Sequence, residues 1–206
     1  MRSKAVVVAA GGFEQPAVFR YNDLPGIMLA SAAQRLLYRY AVKPMQRAVV
    51  LTANGAGYRA ALDLAAHGVQ VAAVVDLRPH YGNPALVQQV KALGIPVHAA
   101  TCIGEAVPTG DHKALKAVRL AAFDDGRAGT PVAEIPCDGV AVSVGWAPAA
   151  NLLYQAGTRM AYRETLHQFV PDVLPEGVFA CGKVNGVHAA GLLAPGGRQP
   201  APSAGS

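Results

Sequence analysis

At 206 residues and with 15% charged side chains against 52% hydrophobic ones, the chain is long enough for one sizeable core and too apolar for a disordered chain or a coiled coil. Its formal charge of +5 is scattered, with no basic run of the kind that tracks a phosphate backbone, so nucleic-acid binding is not expected. Three widely spaced cysteines, Cys102, Cys137 and Cys181, suit neither a zinc site nor a disulfide framework; they read as reduced thiols of a cytoplasmic protein.

In chain order, the apolar run Ala5–Ala10 reads as a buried strand halted by Gly11 and Gly12 rather than a signal peptide, and no stretch approaches the length of a membrane span. Residues 13–26 carry Pro16 and the turn-like Asn22-Asp23-Leu24-Pro25-Gly26, so they are expected to be irregular. From Met28 to Tyr40 apolar residues recur at helical spacing. Ala48-Val49-Val50-Leu51 is the all-apolar run of a parallel strand covered on both faces.

A turn of small residues follows, Thr52 to Gly57, then a helix to His67 closed by Gly68, then a strand from Val69 ending at Asp76. Strand, glycine turn, helix and strand within about thirty residues make the βαβ unit that binds dinucleotides. Pro84–Leu93 reads as another helix and Ile95–Ala100 as a strand; 101–137 reads as a small antiparallel meander, and Gly139–Val144 and Val178–Ala180 as further strands. From Ala194 the composition is that of a disordered tail. The expected fold is therefore α/β and Rossmann-like, a parallel sheet with a small antiparallel meander.

The βαβ turn is where chemistry is expected. Laid over it, the three glycine positions of G-x-G-x-x-G fall on Thr52, Asn54 and Gly57, and only the third keeps its glycine, the one needed where helix and strand pack closely. Thr52 and Asn54 are small and can hydrogen-bond phosphate; equally, the unit can persist for packing after losing its ligand. Asp76, at the end of the next strand, stands where a carboxylate accepts from ribose hydroxyls, which favours NAD over NADP, although Arg78 could pair with a 2′-phosphate. The six histidines, His67, His80, His98, His112, His167 and His188, are isolated; no catalytic constellation or metal cluster is read.

Ala9-Ala10-Gly11-Gly12-Phe13-Glu14-Gln15-Pro16 resembles the A-T-G-x-x-x-x-P crossover of two-dinucleotide-domain flavoproteins. Asp138-Gly139-Val140 through Gly145-Trp146-Ala147-Pro148 resembles the second crossover, and Val178-Phe179-Ala180-Cys181-Gly182 the strand that returns to the flavin. More narrowly, Tyr21 to Met28, the altered Thr52-x-Asn54 turn, Tyr58 to Leu64 and Val140 to Trp146 are similar to the α subunit of heterotetrameric sarcosine oxidase and its opine oxidase and hydrogen cyanide synthase relatives.

That resemblance, over residues 5–190, implies a domain of an FAD/NAD-dependent amine oxidoreductase. It adds Gly145 and Gly182 to the cofactor-contacting positions and makes NAD the ligand expected at the turn. FAD or FMN is expected only with parts outside this chain or a partner subunit. The implied partners are a flavin-containing β-like subunit or the remainder of the α subunit.

One departure is Lys183, where the family pattern has an acid that holds the ribityl chain; the other is that the first dinucleotide motif is expected upstream of residue 1. The implied organisation is a first-domain remnant and crossover over 1–27, the NAD-type domain with its meander over 28–144, a return segment over 145–193 and the tail 194–206. Three functions compete: a subunit domain inactive alone, a stand-alone NADH-dependent flavin reductase, and a non-catalytic docking remnant. Val178–Ala180 is the expected pairing partner of the initial strand.

Overall fold

The computed structural model describes residues 3–80, 84–166 and 168–187, and everything below concerns those. His167, His188 and the expected tail lie outside them. In chain order the elements are β1 (Val6–Val8), β2 (Gly12–Glu14), β3 (Ile27–Leu29), α1 (Ala30–Tyr40), β4 (Arg47–Thr52), α2 (Gly55–Ala66) and β5 (Gln70–Asp76). There follow α3 (Pro84–Ala92), β6 (Val97–His98), β7 (Thr101–Pro108), β8 (Leu115–Asp124), β9 (Arg127–Pro136) and β10 (Gly139–Ser143). The last are β11 (Trp146–Pro148), α4 (Asn151–Gln155), β12 (Arg159–Arg163), β13 (Gln168–Val173) and β14 (Val178–Ala180). They divide between two compact units, one of Glu14–Gly145 and one of the described residues on either side of it.

In the larger unit a five-stranded sheet runs β3-β10-β4-β5-β6, every neighbouring pair parallel. Successive side chains along a strand face opposite sides, and both sides here are covered. Ala48, Val50 and Ala141 pack toward the helices with Ala33, Leu37, Tyr58, Ala61 and Leu64. Val49, Leu51, Val140 and Val142 pack toward the meander with Ile103, Leu115, Val118 and Leu120. The unbroken apolar runs in the sequence are the consequence.

The α2 helix begins at Asn54, whose side chain caps it, and ends in a Schellman turn. Gly68, at φ 75°, donates to Ala65 O and Val69 donates to Leu64 O, while Val69 and Leu64 share the core beneath. The meander is the antiparallel sheet β7-β8-β9. Asp125 and Gly126, both at positive φ, make the two-residue turn between β8 and β9, the geometry whose twist suits a tight hairpin.

Three details differ from the sequence reading. The run Ala5–Ala10, expected as a buried strand, is a strand only over Val6–Val8, with Val8 buried and Val6 and Val7 exposed, because the small cluster around Val8 covers one side of it. Met28 and Leu29 belong to β3, a parallel edge strand on β10, so α1 starts at Ala30. The strand expected over Ile95–Ala100 shrinks to Val97–His98, because the chain turns at Ala100, where φ is 47°.

In the smaller unit β1 pairs in parallel with β14, Val7 opposite Phe179, as expected of the initial and returning strands. β2 pairs with β11, and β12 and β13 form an antiparallel hairpin. A modest core of Val8, Ala150, Leu153 and Val184 holds it.

Candidate functional site

In an open α/β sheet, ligands enter the crevice at the carboxyl ends of the strands where the strand order reverses. Here that point lies between β4 and β10: from β4 the chain proceeds outward to β5 and β6, then returns to place β10 on the other side. Thr52 and Ser143 are register partners across it. Thr52, Asn54 and Gly57 therefore do meet at the switch point, at the N-terminus of α2.

Their polar groups are turned on one another. Asn54 Oδ1 accepts from the Ala56 N–H at 2.8 Å, and Asn54 Nδ2 donates across the crevice to Ser143 O at 3.0 Å. Thr52 Oγ1 accepts from the Asn54 N–H at 3.1 Å and lies 2.9 Å from Asn54 O and 3.1 Å from Ser143 O, either of which can take its proton. Ser143 O also receives the Ala53 N–H at 3.1 Å. The crevice is thus bridged by hydrogen bonds from the turn to β10. Gly57 completes the closure, since a Cβ there would collide with the Thr52 side chain. Thr52 itself is fully buried.

Asp76 ends β5 beside Thr52, and its carboxylate is 0% exposed. Four donors saturate it. Oδ1 takes the Arg78 N–H and Nε, each at 3.0 Å; Oδ2 takes Arg78 Nη2 at 2.8 Å and the Tyr58 hydroxyl at 2.8 Å. Arg78 Nη2 and Nε thus form a two-pronged ion pair that holds the guanidinium pKa above its ordinary value. Tyr58, on α2, is fully buried and ties helix to strand through the same carboxylate.

Tyr58 and Ser143 were not among the residues read from sequence as site positions. A hydroxyl-bearing aromatic on the inner face of the crossover helix, with an Asp-x-Arg at the next strand end, is the pattern that points to the first. Ser143 acts mainly through its carbonyl, which no side-chain motif can reveal, and its hydroxyl adds a 3.3 Å bond to Asn54 Oδ1.

Gly145 follows β10 in the larger unit, where it accepts from the Gln15 N–H at 2.9 Å, and a Cβ there would crowd Gln15 Oε1. Gly182, in the smaller unit, opens a short 3-10 turn at φ 72°. Beside it the Lys183 ammonium sits 3.8 Å from the centre of the Trp146 ring, within range of the ring's negative face. The three thiols are free; burial pushes Cys102 up and Cys137 up to about 12, so neither is ionised near neutrality. Among the described residues there is no group of metal-ligating side chains, and no helix is long and apolar enough to cross a membrane.

The residues at the turn do not fit NAD as they stand. Ribose hydroxyls need a free acceptor on Asp76, and both of its oxygens are taken. At the return strand Lys183 offers a ribityl chain three donors in place of the acceptor a carboxylate would supply, and its ammonium is directed onto the Trp146 ring.

No family model matches the chain. It is 32% identical over 189 residues to a sarcosine oxidase subunit alpha of Corynebacterium sp. strain P-1, covering 91% of this chain and 19% of that protein. A sarcosine oxidase subunit alpha of Rhizobium meliloti is 31% identical over 188 residues, 90% of this chain and 16% of its own length. The chain therefore spans under a fifth of the curated relatives it matches. Among solved structures, the thioredoxin reductase of T. acidophilum is similar with a TM-score of 0.65 and 22% identity, over 89% of this chain and 58% of that one.

Proposed function

We propose that the chain, which over nine-tenths of its own length is similar to part of sarcosine oxidase α subunits, works as a dinucleotide-type domain inside an amine-oxidising flavoprotein. The rest of such a subunit and a flavin-containing β-like partner would supply the flavin and the amine site. On this reading the chain is inactive alone, and its nucleotide turn is closed by its own side chains. The observation that carries it is the bridged crevice, with Asn54 and Thr52 bonded to the Ser143 carbonyl where a dinucleotide would enter.

Thermal melting with NAD, NADP, FAD, FMN and ATP, each separately at millimolar excess, tests the closed turn. The expected result is no shift with any of them. A ligand present at a hundred times its dissociation constant stabilises by about 2.7 kcal/mol, which is several degrees for a chain of this size. A rise of that order with NAD alone would mean the crevice opens readily and the domain is a working NAD site.

A further inference from the structure

The misfit at Asp76 has an identifiable cause. A carboxylate at this strand end ordinarily accepts two hydrogen bonds from the adenosine ribose diol. Arg78 makes two from its side chain to the same carboxylate, Nε to Oδ1 at 3.0 Å and Nη2 to Oδ2 at 2.8 Å. We propose that Arg78 is an intramolecular competitor for the ribose position: its guanidinium stands in for the diol and helps to keep NAD out of this domain. The inference rests on the dinucleotide-type reading of the domain.

The exchange balances in hydrogen bonds. With the Arg78 side chain gone, Asp76 keeps two donors, the Tyr58 hydroxyl and the Arg78 backbone N–H, and regains one open acceptor position on each oxygen. A ribose diol has the two O–H groups to fill them. In the parent chain the diol must instead displace a paired cation from a buried carboxylate, leaving the guanidinium to find new partners. The Arg78 side chain is 29% exposed, so it is not sealed in the core and its removal leaves the two main cores untouched.

Charge adds a second signature. Paired, Asp76 and Arg78 are together neutral; unpaired, Asp76 is an anion that repels a 2′-phosphate. Opening the site by removing Arg78 therefore selects NAD and excludes NADP.

The test is nucleotide titration by calorimetry on the full chain, comparing the parent with Arg78→Ala and with Arg78→Gln, which keeps a polar stem should the alanine variant fold poorly. Circular dichroism checks the fold of each. The expected outcome is that a folded variant binds NAD at least tenfold more tightly than the parent, shows no such gain for NADP, and loses the gain in Arg78→Ala/Asp76→Asn or its glutamine counterpart. Folded variants that bind NAD no better than the parent overturn the competitor role while leaving the closed-turn reading intact. A parent that already binds NAD as tightly as the variants overturns both.

Discussion

Two parallel ladders in this chain share a bonding pattern and differ in almost everything else. β4 lies between β10 and β5 with helices on one face and the meander on the other, and Val49, Val50 and Leu51 are essentially inaccessible to water. Among the described residues β1 and β14 pair only with each other; Val8 is buried, while Val7 and Phe179, opposite one another, are 64% and 52% exposed. Parallel sheets are almost always covered on both faces, and two strands alone are marginal in water. The comparison teaches that pairing does not by itself make a core. In the larger unit the ladder is the middle of two packed layers, whereas in the smaller one it rests on a four-residue cluster.

The largest effects that sharpen this contrast come from truncating each core. Leu64→Ala in the larger unit and Leu153→Ala in the smaller each remove a fully buried side chain and should cost about 2–5 kcal/mol. The single tryptophan, Trp146, lies in the smaller unit, while α1, α2 and α3 lie in the larger. Urea unfolding followed by tryptophan fluorescence should register mainly Leu153→Ala, and far-ultraviolet circular dichroism mainly Leu64→Ala. If either variant shifts both transitions equally, the units unfold as one cooperative body and the contrast fails.

Next in size is Tyr58→Phe. It removes one donor from a buried carboxylate, and hydrogen bonds to charged groups are worth about 1.5–3 kcal/mol. The loss should appear as a lower urea midpoint with unchanged slope. A neutral result would mean that Asp76 draws its stability from Arg78 alone.

What was legible beforehand follows the same division. Val49–Leu51, Val71–Val75 and Val140–Val142 stood out because strands buried on both faces have no room for polar residues. The α2 stop at Gly68 was legible because the left-handed position after the helix favours glycine. By contrast, α4 spans five residues, too short to display a helical period, and β12–β13 mixes exposed Tyr162 and Phe169 with Pro171, which blurs the alternation. At the site, positions 52, 54, 57 and 76 were legible as places but not as states. Asp76 at a strand end looks like a free acceptor until Tyr58 and Arg78, brought in by the fold, occupy it.

A smaller effect is expected from Asn54→Ala. It deletes the helix cap and one bridge to Ser143, costing about 1 kcal/mol. Because it also loosens the crevice, hydrogen exchange at the first turn of α2 should quicken by roughly the same free energy. Unchanged exchange there would mean that Thr52 and the Ala53 N–H keep the crevice bridged without it.

The smallest expected change, Val7→Lys, bears most directly on the uncovered ladder. Val7 and Phe179 face the same side, opposite to the one on which Val8 packs, so a lysine at 7 meets water and disturbs no packed contact. Its melting should stay within about 0.5 kcal/mol of the parent. An apolar face left open favours association, and a charge at its centre opposes it. Light scattering should therefore show less self-association of Val7→Lys than of the parent as concentration rises. Substituting lysine for Val49 gives the contrasting case, since it places an unpaired charge between two packed layers and should prevent folding. If Val7→Lys were comparably damaging, the β1–β14 face would be a true core, and the distinction between the two ladders would have to be abandoned.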